Sequence, residues 1–100
     1  MQNKVRTFVD TNRLSCGPQV RYMDLVSEIG ELGKELIKGC DYGAKPFSQT
    51  EKTAAEMGDC LFSLLALCCE LGIDADAALD GALDKYEARR VATGQIGSRA

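Results

Sequence analysis

The chain has 100 residues, a formal net charge of −3, 45% hydrophobic residues and 27% charged residues, which bounds it to one domain with a modest core. The acidic balance gives no general electrostatic case for binding nucleic acid, although a bound cation would reverse the sign locally and admit a small anionic substrate. Five cysteines and no histidine fit neither a disulfide framework nor a zinc site, and they exclude His-based acid–base or triad chemistry.

The opening Met-Gln-Asn-Lys-Val-Arg leads into no apolar segment of signal type, and no run approaches the roughly 20 residues that span a bilayer. A reducing cytosol is the expected setting, with no membrane partner. Val5, Phe8 and Val9 at i, i+3, i+4 predict a short helix over 2–11, which needs docking to persist. Residues 11–17 break it. Pro18 suits the first position of a second helix over 18–38, and Gly39 suits its end. In that helix Leu25, Ile29, Leu32 and Leu36 recur as an apolar stripe. Asp24, Glu28, Glu31 and Glu35 fall beside it within an arc of roughly 60°. Acids stacked in this way repel by about 0.3 kcal/mol per pair unless something positive sits among them.

Residues 39–47, with two glycines, Pro46, Tyr42 and Phe47, read as a loop. Ser48-Gln-Thr-Glu51 reads as a capping box opening a third helix over 48–71, which Gly72 ends. From Leu61 to Cys69 that helix is apolar nearly all round. This is more than so short a chain can cover, and it predicts burial in an oligomer. Its polar residues Lys52, Glu56, Asp59, Ser63 and Glu70 share one narrow stripe. Asp74 can cap a fourth helix over 74–90, with Ile73 as a staple. Ala75, Ala78, Leu79, Ala82, Leu83 and Tyr86 line one face of it, and Lys85, Arg89 and Arg90 lie near its C-terminal end, where they complement the dipole. Residues 93–100 are small and polar, a segment expected to be mobile. No strand signal or internal repeat is present; the expected fold is an all-α four-helix bundle.

Glu28 and Glu31 on the second helix and Glu56 and Asp59 on the third are two pairs at the same spacing. Two antiparallel helices packed together would point all four into one pocket, a hard oxygen site suited to Mg²⁺ or Mn²⁺. The plainer reading is a solvated face, since Glu31 and Glu35 each precede a lysine, Lys34 and Lys38, by three residues.

The run Leu25-Val-Ser-Glu28-Ile-Gly-Glu31-Leu-Gly-Lys-Glu35-Leu, with Glu56-Met-Gly-Asp59 and Leu71-Gly-Ile-Asp74, resembles the MazG-like all-α nucleoside triphosphate pyrophosphohydrolases. Their signature is Glu-Glu-x-x-Glu on one helix and Glu-x-x-Asp on the next, followed by a basic motif ending the last helix. The similarity covers residues 18–90 within a single domain of 1–100. It implies Mg²⁺ (or Mn²⁺) at Glu28, Glu31, Glu56 and Asp59. It also implies cleavage of (d)NTP between the α and β phosphates to NMP and pyrophosphate, in a homodimer or homotetramer. Lys85 matches the basic position, and Arg89 or Arg90 the following arginine; these would bind the phosphates. With no His, the base would be a carboxylate such as Glu31 or Glu35. Tyr42, Phe47 and Tyr86 are candidates to stack on a base, against a plain role in core or interface.

The resemblance departs at Ser27, which stands where the family commonly has the first glutamate of its pair. That acid is implicated in holding an additional metal or activating the water. Glu35 or Asp24, on the same arc, offers a substitute. The competing expectations are a catalytically weak or inactive nucleotide-binding or oligomerisation bundle, and an enzyme resembling the phosphoribosyl-ATP pyrophosphatases.

Overall fold

A computed structural model describes residues 1–94. It is all-α, as the sequence pattern predicts, with helices α1 (Gln2–Thr11), α2 (Pro18–Gly39), α3 (Thr53–Leu71) and α4 (Ala75–Thr93) and no strand among the described residues. Gly17 turns the chain at φ 89° and Pro18 occupies the first turn of α2, where its missing N–H is not needed. Gly72 takes φ 65° at the end of α3, and the Ile73 N–H closes the turn on the Cys68 carbonyl at 2.9 Å. Asp74 caps α4, its Oδ1 accepting from the Ala77 N–H at 3.1 Å. None of these helices is long and apolar enough to cross a membrane.

Two boundaries differ from expectation. The capping box at Ser48–Glu51 does not form, and α3 begins five residues late, at Thr53, with Lys52 at its N-cap. Thr50 is used otherwise. Its hydroxyl donates to Glu35 Oε1 at 2.5 Å and accepts from the Lys52 N–H, while its own N–H donates to Thr53 Oγ1. A bond back to α2 thus replaces the local cap. At the other end α4 runs past residue 90 to Thr93 and is closed by Gly94 at φ 75°. Of the segment expected to be mobile, Thr93 is therefore helical and residues 95–100 lie outside the described residues.

The dry core is small: Val5 and Val9 of α1 meet Leu65 and Ala66 of α3, with Phe62 and Ala75 against them. Phe8 meets Phe62 edge-on, ring centres 6.0 Å apart. The longer seam, between α2 and α3, is of another kind. Apart from Pro18 and Gly33, burial along α2 falls on Arg21, Leu25, Glu28, Leu32, Glu35 and Gly39, and along α3, apart from Phe62, Leu65 and Ala66 of the core and Cys68 and Cys69, on Thr53, Glu56, Cys60, Ser63, Leu67 and Glu70. This alternation of three and four is that of a helix-pair seam, yet half of its residues are polar or charged. Ile29 (54% exposed) and Leu36, expected in the apolar stripe facing inward, face outward, while Glu35 is 6% exposed. Gly39 lets the loop close in: a Cβ there would sit 2.6 Å from the Ser48 carbonyl and 2.7 Å from the Phe47 ring.

α4 buries none of its residues. The radius of gyration is 16.8 Å, against about 13 Å for a compact domain of this length. One chain therefore forms a body from α1, α2 and α3, with α4 leaning away from it.

Candidate metal centre

The seam brings Glu28 of α2 against Glu56 and Asp59 of α3, and one carboxylate oxygen from each lies within 4.8 Å of the others. Glu56 and Asp59 are three apart on one helix and so project together. Glu28 and Glu56 are half-buried, and Asp59 is exposed. Loss of hydration pushes the Glu28 carboxyl above its ordinary value, and Asp59, Glu56, Glu31 and Asp24 push it further. Among the described residues no cation offsets this. The Cys60 thiol feels the same field: burial raises it first, then Glu28, Asp59 and Glu56. Three converging carboxylates with no counter-charge among the described residues form an oxygen donor set that fits Mg²⁺ or Mn²⁺.

The other acids divide by what they already hold. Glu31 is exposed and lies outside the trio, though near enough to act on Glu28. Glu35 is buried and accepts the Thr50 hydroxyl, with Lys38 Nζ 3.8 Å from its other oxygen. Asp24 sits 3.9 Å from Arg21 Nη1. Both acids considered as substitutes for the glutamate missing at exposed Ser27 are therefore engaged elsewhere, one by Thr50 and the other by Arg21.

On α4, Lys85 and Arg89 are one turn apart, and both cations rest on the Tyr86 ring, at 5.2 Å and 5.8 Å from its centre. Such contacts hold a cation without neutralising it. Arg90 is different: Nε and Nη2 donate to the two oxygens of Glu87 at 3.0 and 2.5 Å. That fork occupies the guanidinium edge of Arg90, whereas Arg89 has no such partner carboxylate among the described residues. Of the remaining aromatics, Phe47 packs over Gly39, and Tyr42 is 75% exposed on a left-handed backbone at φ 55°.

Sequence reading missed one further centre. Glu70 Oε1 accepts from Ser15 Oγ and from the Cys16 N–H, both at 3.0 Å. Nearby Arg21 donates Nη2 to the Leu14 carbonyl at 2.5 Å and lies 5.7 Å from the Phe62 ring centre. These bonds tie the α1–α2 connection to α3. The sequence signals are Glu70 in the polar stripe of the third helix and an arginine four residues before Leu25.

Residues 18–92 match the family model of the MazG nucleotide pyrophosphohydrolase domain. No curated protein and no solved structure matches the chain.

Proposed function

The chain belongs to the MazG nucleotide pyrophosphohydrolase family, and from that premise we propose that it hydrolyses nucleoside triphosphates between the α and β phosphates, consuming water and releasing monophosphate and pyrophosphate. The observation that carries this reading is the trio Glu28, Glu56 and Asp59, at whose Glu28 every named charge among the described residues is negative. These three, with Glu31 at the margin, would hold Mg²⁺ or Mn²⁺. Bound there, the cation supplies charge neutralisation for phosphate oxygens.

The chain's own groups do the rest. Lys85 and Arg89 take oxygens of the phosphate tail, one as a point charge and the other as a fork. Glu31, exposed and unbonded to a neighbour in the way Glu35 is, receives a proton from the attacking water. Tyr86 keeps the two cations extended and pre-aligned.

We also propose that the working form is a homodimer or homotetramer. The accessible surface is 7305 Å² for 10.8 kDa, against about 5,500 Å² for a compact monomer of that mass. Leu61, Leu64 and Leu71 of α3, Ile29 of α2 and Leu79 and Leu83 of α4 are all exposed. Association of copies covers these faces and brings α4 cations from one copy to the acids of another. The five free cysteines suit a reducing cytosol.

A panel of canonical, deoxy and modified triphosphates with Mg²⁺ or Mn²⁺ tests the reading. Pyrophosphate and monophosphate should appear. Orthophosphate in their place, or turnover unchanged in EDTA, defeats it. Mg-dependent nucleotide affinity without turnover would instead identify a binding bundle, the outcome to which Ser27 points.

A further inference from the structure

α4 carries the phosphate-facing cations but has almost nothing to hold it. No residue of it is buried, and its attachment to the body is concentrated at one joint. There Ala75 packs against the core, and the side chain of Gln2, from the first turn of α1, closes over the connection. Gln2 Nε2 donates to the Ile73 carbonyl at 2.7 Å, and Gln2 Oε1 accepts from the Ala75 N–H at 2.7 Å. The Ala75 N–H is the first donor of α4 that the helix itself cannot satisfy. Asp74 serves the Ala77 N–H, so this helix is capped partly by a residue more than 70 positions away. Beside the joint lies a cavity of about 280 Å³ lined by Gln2, Arg6, Gly72, Ile73 and Asp74, and Gly72 at φ 65° is its natural pivot. Gln2 also lies outside the residues matched by the family model.

We propose that Gln2 is a positioning residue: its amide fixes the direction in which α4 leaves the body and thereby the placement of Lys85 and Arg89. This rests on the pyrophosphohydrolase reading above. The lever arm is long. Lys85 and Arg89 stand ten and fourteen residues beyond Ala75, about 15 and 21 Å along the axis. A swing of about 20° at the joint displaces them by about 5 and 7 Å, more than the reach of a hydrogen bond.

Two measurements on the full chain test this. Spin labels carried on ketone-bearing residues at exposed positions 7 and 91, which leave the native thiols alone, report the α1–α4 distance. Gln2→Met keeps the side-chain length and loses both bonds; Gln2→Glu keeps the acceptor for Ala75 and loses the donor. With doubly labelled chains diluted into unlabelled chains of the same variant, so that each oligomer carries one labelled pair, the distance distribution should be single in the parent, broad in Gln2→Met and intermediate in Gln2→Glu. KM for the triphosphate should rise about tenfold in Gln2→Met, with kcat held within about twofold, because uniform binding is what is lost. An unchanged distribution in Gln2→Met overturns the proposal. So does a broadened one with unchanged KM, or a fall in kcat alone, the mark of a smaller folded fraction. If the parent protein releases no pyrophosphate, the proposed function fails, and the label distances alone decide whether Gln2 orients α4.

Discussion

The two ends of α3 treat the same kind of group in opposite ways. Near its start, Glu56 and Asp59 crowd Glu28, and every charge acting on Glu28 is negative. Near its end, Glu70 receives the Cys16 N–H, the Ser15 hydroxyl and the Gly17 N–H and lies in the field of Arg21, which together hold it below the ordinary carboxylate value. Both groups sit half-buried on the same helix pair. At one end the chain supplies donors from the loop before α2 and a counter-charge from Arg21 of α2; at the other, among the described residues, it supplies neither. Crowded acids gain nothing for folding. The contrast is what the proposed cation site rests on at the first end, while the bonds at the second end tie the α1–α2 connection to α3.

The sharpest way to break that contrast is to remove an acid from the open end. Glu56→Gln should lower Mg-dependent pyrophosphate release by more than about 100-fold, at or beyond the range for lost metal support, while helical circular dichroism stays that of the parent. Retained turnover would leave the acidic end without a function. Next in size is the response to metal itself. Mg²⁺ at about 100 times its dissociation constant should stabilise the fold by about 2.7 kcal/mol. Glu28→Gln should raise the metal-free melting temperature and shrink the Mg²⁺ increment. A melting temperature indifferent to Mg²⁺ would mean that the acidic end is as self-sufficient as the Glu70 end. Smaller again is the loss of one phosphate contact. Arg89→Ala should raise KM about tenfold, whereas Arg90→Ala, which only frees Glu87, should leave KM within about twofold. Equal effects would show that the Glu87 fork is no obstacle to phosphate.

Those variants could be chosen because part of the site is legible in local chemistry. Pro18, Gly72 and Asp74 punctuate the helices through backbone needs that are visible one turn at a time, and the family signature singles out Glu28, Glu31, Glu56 and Asp59, of which the structure brings together all but Glu31. The rotation of α2 is not legible. Hydrophobic periodicity presumes that the apolar face points inward, so Leu25, Ile29, Leu32 and Leu36 read as the seam. The real seam exchanges Ile29 and Leu36 for Glu28 and Glu35, a choice that chemistry or a long-range bond justifies and periodicity cannot. Thr50 misleads for the same reason. Beside Ser48 and Glu51 it belongs to a capping box, yet its hydroxyl is spent on Glu35 of the preceding helix. Gln2 gives no signal at all, since its partners are Cys69, Ile73 and Ala75, 67 to 73 residues away.

The mildest test uses pH, because the two ends should titrate with opposite sign. Glu70 has a folded-state pKa below its ordinary value of 4.5. The folded chain gives up that proton more readily, so the stability it contributes is present above about pH 4.5 and is lost as pH falls through the depressed value. Glu28 has a folded-state pKa above 4.5; its unfavourable contribution is full at neutral pH and is relieved as pH falls through the raised value. Metal-free protein should therefore hold or gain melting temperature on first acidification and lose it only further down. Saturating Mg²⁺ should silence the first limb and leave a simple loss on acidification. Glu70→Gln keeps an oxygen that can accept from Ser15 and Cys16 but removes the charge that Arg21 and the N–H groups favour. It should flatten the lower limb, lower the melting temperature slightly at pH 7, and leave the Mg²⁺ increment as in the parent. A Glu70→Gln protein whose acid limb matches the parent's would show that the compensated end is not what fails in acid. A Glu70→Gln protein that loses its Mg²⁺ response would show that the two ends of α3 are not independent.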